Sequence, residues 1–124
     1  MKYHRLPIYQ LAKEKGIGWV VVKNQIAYLK PASLMETVVI QTTLVRLGEK
    51  DLDVEMRMWN EALTSLKSLL WTSFVHFNLK TQRVEPHDGE LFEQFKPFEN
   101  AFESNVTFDE RVDYLKHKSA DEIR

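Results

Sequence analysis

The sequence predicts an α+β domain: a short helix, an antiparallel sheet of four strands, then helices at the C-terminal end. Three observations predict it. Residues 18–83 read as consecutive β-rich runs with almost no interruption. A helical fragment stands before them, over residues 1–16, and helical spacing and cap signals return after Lys80. The 124 residues fit one domain, taken as 1–124 with a helix fragment over 1–16, strands over 18–83 and C-terminal helices over 87–117.

In the first fragment Leu6, Ile8, Tyr9, Leu11 and Ala12 make an apolar helix side. Gly16 follows Lys13 and Lys15 where a left-handed C-cap is favoured. Pro7 either starts this helix or kinks it, because a proline in a helix interior costs about 3 kcal/mol.

The run Trp19–Leu29 is rich in Val, Ile, Tyr and Trp and stops before Pro31, which has no backbone donor. Strict alternation puts Val20, Val22, Asn24, Ile26 and Tyr28 on one face and Trp19, Val21, Lys23, Gln25, Ala27 and Leu29 on the other. The first half is apolar on both, which predicts cover on both. Thr37–Leu47 is the second run, and Gly48-Glu49-Lys50-Asp51 reads as a hairpin turn. Leu52, Val54, Met56 and Met58 then alternate with Asp53, Glu55 and Arg57, predicting one buried and one solvated face. Residues 60–64 have weak turn chemistry. A helix over 61–70 competes there, but the β-branched and aromatic residues from Trp71 onward favour a fourth strand over Leu66–Leu79.

Beyond it, Pro86-His87-Asp88-Gly89 is turn-like and opens a helix carrying Leu91, Phe92 and Phe95, which Pro97 ends. Thr107-Phe108-Asp109-Glu110 is a capping-box pattern for a last helix over Phe108–His117.

Lys and Arg number 17 against 18 Asp and Glu, a formal net charge of −1. That balance does not point to nucleic acid, whose binding usually needs a basic face, though a net charge does not say how the charges are spread. The absence of cysteine excludes disulfides, thiolate zinc sites and a cysteine nucleophile. Residues 1–16 are too polar for a signal peptide, and no apolar run reaches the roughly 20 residues of a membrane span. The expectation is a cytoplasmic protein with no cofactor, no nucleic acid and no membrane partner.

The strand block resembles the hotdog-fold acyl-CoA thioesterases of the 4-hydroxybenzoyl-CoA thioesterase type. A valine-rich strand running into Tyr-x-x-Pro-Ala is matched by Trp19–Ala32. The family's hairpin phrase is matched by Leu44-Val45-Arg46-Leu47-Gly48, and its last-strand phrase before a proline by Asn78–Arg83 and Pro86. The resemblance covers roughly residues 3–95. It implies a hotdog-like antiparallel sheet packed on a helix and hydrolysis of an acyl-CoA thioester to free acid and CoA. It also implies a homodimer or homotetramer, with pockets between subunits.

The front departs from the family, which begins with a strand, a loop of the type Asp-x-x-Gly-His-x-Asn and the first half of the helix. None of these is matched, so the expectation is an N-terminally shortened hotdog, weak or inactive in this 124-residue form. Either the natural chain starts upstream of Met1, or a partner subunit or rearranged termini replace the missing parts. The family's aspartate, which attacks the thioester or activates water, has no counterpart, so no catalytic residue is assigned. A non-catalytic acyl-CoA-binding or assembly module is the alternative, and a dehydratase-type hotdog a weaker third.

Substrate-binding candidates are Tyr3, His4, Tyr28, Lys30 and Arg83. Tyr3 and His4 fall where the family's helix lines the cleft; a core aromatic and a surface histidine are the plainer readings. Tyr28 and Lys30 end the first strand, and Lys30 and Arg83 are candidates for CoA phosphates, though each also suits a solvated strand end. His76 reads as a hydrogen-bonded sheet histidine. His87 and Asp88 with Glu90 read as an acid-rich helix start, not a metal motif.

Overall fold

The computed structural model describes residues 17–123, with the side chains from Gly18 onward. The helix expected over 1–16, with Tyr3 and His4, lies outside the described residues. β1 (Ile17–Tyr28), β2 (Val38–Leu47), β3 (Asp51–Asn60) and β4 (Leu66–Asn78) form an antiparallel sheet in the order β1-β4-β3-β2. The short β5 (Arg83–Val84), not foreseen from the sequence, pairs with the end of β4. After the sheet come α1 (Gly89–Phe95), a 3-10 turn over Lys96–Phe98, and α2 (Phe108–Leu115).

Local chemistry explains the joints. Gly48 N donates to Asp51 O in the β2–β3 turn. Asn60 Oδ1 accepts from the amides of Thr64 and Ser65, and Leu63 takes a left-handed φ of 62° to close that turn. This side-chain acceptor supplies what the turn composition lacked, and β4, not a helix, follows from Leu66. Asp88 caps α1 by accepting from Leu91 N, and Thr107 with Glu110 forms the expected capping box at α2.

Three bulges reset the side-chain parity. In β1, Val21 opposes Phe74 and Lys23 opposes Ser73, so Val22 is the extra residue. The strictly alternating sets expected for β1 therefore exchange faces at Val22. Trp19 and Val21 share a face with Asn24, Ile26 and Tyr28, and Asn24 accepts from Thr72 Oγ1 there. Val45 in β2 and Lys67 in β4 are extra in the same way.

One sheet face, the inner face, presents Leu52, Val54 and Phe74, and with Trp19 they pack against Leu91 and Phe95 of α1. The chain then passes round the β2 edge, where Glu99 bridges to Leu44, Asn100 N donates to Leu44 O, and Glu99 Oε2 accepts from Leu47 N. It arrives on the outer face, where Phe108, Leu115 and Ala120 bury Trp59, Leu66 and Leu69.

Two burial expectations are corrected. Among the described residues β1 is not covered on both faces: it is an edge strand there, with Val20, Val21 and Val22 exposed by 42%, 48% and 58%. In β3 the expected wet face is the more buried one. Glu55 is 0% exposed and Arg57 7%, while Met56 and Met58 are only partly buried. The C-terminal segment covers the charged face, and the charges there are paired.

Candidate functional site

The end of β1 makes the first site. Pro31 stops the strand, and the amides of Leu29 and Lys30 both donate to Lys67 O, folding the chain over the start of β4. The turn so formed, Tyr28–Ala32, encloses a pocket of about 520 Å³ with Met58, Lys67 and Ser68. Tyr28 opposes Ser68 in the register, so the pocket opens on the inner face, at the end of the sheet away from α1. Its wall is mainly carbon, and two lysines, Lys30 and Lys67, are among its lining residues. Lys30 Nζ donates to Ser65 Oγ at 2.7 Å, and Lys67 Nζ donates to Pro31 O at 2.9 Å and pairs with Glu36 at 2.6 Å.

Glu36 is the carboxylate beside this pocket. The Lys67 hydrogen bond, then the Ser33 amide, hold its pKa below the ordinary 4.5. It stays ionised and is a poor proton acceptor, which suits fixing Lys67 and does not suit a poised general base. The arrangement can therefore hold an apolar group beside anionic ones.

Of the predicted site residues, Tyr28 and Lys30 come together here. Arg83 does not join them. It pairs with Asn78, and ten residues of β4 separate Asn78 from Ser68, the partner of Tyr28. At about 3.3 Å per residue that is roughly 33 Å. In an antiparallel sheet the end of β4 lies beside the start of β1.

At that far end stands a buried cluster that the sequence suggested only in part. His76 Nδ1 lies 2.9 Å from Glu85 O, the hydrogen-bonded sheet histidine expected, but its Nε2 is buried and has no hydrogen-bond partner among the described residues. Trp19 Nε1 donates to His87 Nε2 at 3.0 Å, and His87 Nδ1 lies 3.0 Å from Gly48 O. These contacts fix His87 as the neutral Nδ1–H tautomer, since Nε2 must accept. Burial, the largest cause, with the nearby His76, keeps its pKa below the ordinary 6.5. Asp88 and Glu90 start α1 as anticipated.

A third cluster was missed. Glu55 accepts from Arg57, from Arg111 and from Trp71 Nε1 on the outer face. Arg111 is 56 residues from Glu55 and sits on another element, so no local pattern could have found the pair.

The family description "Thioesterase superfamily" matches residues 7–66, which span β1 to the start of β4. Among solved structures, the chain is similar to the "YbaW Probable Thioesterase" of Escherichia coli, with 27% identity and a TM-score of 0.65. That match covers 74% of this chain and 69% of the other. It is also similar in fold to a gentisyl-coenzyme A thioesterase (18% identity, TM-score 0.61, 71% and 67% covered). A third is a 1,4-dihydroxy-2-naphthoyl-CoA thioesterase from Synechocystis (12%, TM-score 0.59, 71% and 63%). The chain thus spans about two thirds of the length of these structures. No curated protein matches it. The chain has the α+β hotdog fold of these structures, and its residues 7–66 match the thioesterase superfamily description.

Proposed function

We propose that the protein hydrolyses an acyl-CoA thioester to free acid and CoA, with the pocket at Tyr28–Ala32 taking part of the substrate. The observation that carries this reading is the pocket's make-up, an apolar wall lined also by Lys30 and Lys67, at the end of a strand block that matches the thioesterase superfamily description. The apolar wall suits an acyl or aromatic group, and the ammonium groups suit CoA phosphates. Tyr3 and His4 remain proposed contributors from the preceding helix. Arg83, at the other end of the sheet, can contribute only from a second subunit.

A homodimer or homotetramer fits the exposed edge. Among the described residues β1 has no strand partner on its outer edge, and Val22, Ile26 and Tyr28 stand exposed along it. Such edges add a strand from another copy.

The alternative, a hotdog that binds acyl-CoA without cleaving it, is favoured by one observation: Glu36, the carboxylate beside the pocket, is tied to Lys67. The test is CoA release from short, medium, long and aromatic acyl-CoA substrates, beside calorimetry with CoA. Binding with slow release, weakened by Lys67→Met, is the expected outcome. Binding without any release leaves the acyl-CoA-binding module as the function, and neither binding nor release removes both readings.

A further inference from the structure

The outer face of the sheet carries a second cavity, of about 810 Å³, between β2–β3 and the segment from Asn100 to Tyr114. Glu55, Arg57 and Arg111 form its floor, and Phe102 and Tyr114 line it. Two guanidiniums converge there on one carboxylate. Arg57 Nη1 donates to Glu55 Oε1, and Arg111 donates through Nε to Oε2 and through Nη2 to Oε1, both at 2.8 Å. Trp71 Nε1 adds a third donor to Oε2. The floor therefore carries one positive charge that Glu55 does not neutralise. The Arg57 and Arg111 side chains are only 9% and 11% exposed, so this charge is poorly hydrated, and an entering anion stabilises it.

Arg111 offers a whole nitrogen to a ligand, whereas every Arg57 nitrogen is already engaged. Arg57 uses Nε and Nη2 on Gln41 and Thr43. Arg111 Nη1 has no hydrogen-bond partner among the described residues, and its guanidinium stands 4.8 Å from the Phe102 ring centre and 5.4 Å from that of Tyr114. Phe102 stacks in turn on Trp71 at 5.5 Å. Glu103, Glu110 and Glu122 complete the lining. Glu110 and Glu122 are bound to the amides of Thr107 and Ser119, and all three are exposed at the mouth. They repel a polyanion such as the phosphates of CoA. Toward a single charge their field is screened within about 10 Å, whereas the buried floor is screened far less.

We propose that this groove is a binding site for a small aromatic monocarboxylate, its carboxylate on Arg111 and its ring against Phe102 and Tyr114. It lies on the sheet face opposite the pocket at Tyr28, so it stands or falls apart from the hydrolysis reading.

The test is a titration of the protein with benzoate, with benzamide as the uncharged isostere and sodium chloride as the salt control. The readout is the indole N–H resonance of Trp71, identified by its loss in Trp71→Phe. Benzoate is expected to shift it saturably and to bind about tenfold or more tighter than benzamide, the worth of one charge-assisted hydrogen-bonded contact. Arg111→Lys keeps the charge but not the planar fork and is expected to lower benzoate affinity about tenfold. Should that variant fold poorly, Glu103→Gln decides: it is expected to raise benzoate affinity about two- to threefold at low salt, with the gain lost at high salt. Equal binding of benzoate and benzamide overturns the proposal. So does a benzoate titration that leaves Trp71 fixed, including one that moves only residues around Tyr28.

Discussion

At the scale of single residues, Glu55 is the group on which most rests. Burial alone would raise its pKa, but the Arg111 and Trp71 hydrogen bonds and the charges of Arg111 and Arg57 outweigh this and leave it below 4.5. Glu55→Gln leaves two buried guanidiniums facing a neutral amide. The expected cost is about 3 kcal/mol, read as a lower urea midpoint at unchanged m-value. The pH dependence follows from the sign of the shift. A depressed carboxylate stabilises the fold above its unfolded pKa, and this contribution is lost as pH falls through the lower folded value. His87 acts in a higher window. Its folded pKa also lies below the unfolded 6.5, but for a base this means that the unfolded chain binds the proton more readily. Stability is full above about pH 6.5 and declines as pH falls below it. His87→Gln cannot take up this proton, so its stability between pH 7 and 5.5 should fall less than that of the natural chain. Equal slopes in urea titrations across that window would show that folding does not lower the pKa of His87.

At the scale of elements, the same physics decides what could be read in advance. The four strands were legible because β-branched and aromatic runs, the Gly48 turn and Pro31 all act locally. The capping box of α2 was legible for the same reason. Thr107→Ala removes an acceptor for the Glu110 amide and should cost about 1 kcal/mol. Hydrogen exchange checks this at residues 108–115, which should lose protection before β3 and β4 do. What was not legible was which face of β3 is covered. Alternation separates Met56 and Met58 from Glu55 and Arg57 but cannot say which set meets the C-terminal segment. Long-range pairing with Arg111 turns the polar face into the buried one. The β1 bulge was equally hidden, because an extra residue is defined only against the partner strand.

At the scale of the whole molecule, the candidate sites follow from how the chain wraps the sheet. Tyr28 and Lys30 could be placed together in advance because a strand end and a proline are local signals. Arg83 was grouped with them from its place in a phrase, yet antiparallel order sends it to the opposite end of the sheet. The outer groove was invisible because the passage of residues 96–100 round the β2 edge creates it. That passage makes the C-terminal segment a structural part of the domain. Trp59 and Leu69 are 0% exposed and Leu66 2%, beneath Phe108 and Leu115. Each large apolar side chain contributes about 1.5–3 kcal/mol on burial, so uncovering these three removes roughly 5–9 kcal/mol. A domain of this size is stable by only about 5–15 kcal/mol in total. Deleting residues 100–124 is therefore expected to leave a chain without a cooperative thermal transition, binding 8-anilinonaphthalene-1-sulfonate through the bared outer face. A truncated protein that keeps its near-ultraviolet circular dichroism and melts within a few degrees of the full chain would mean that the inner face and α1 suffice to hold the sheet.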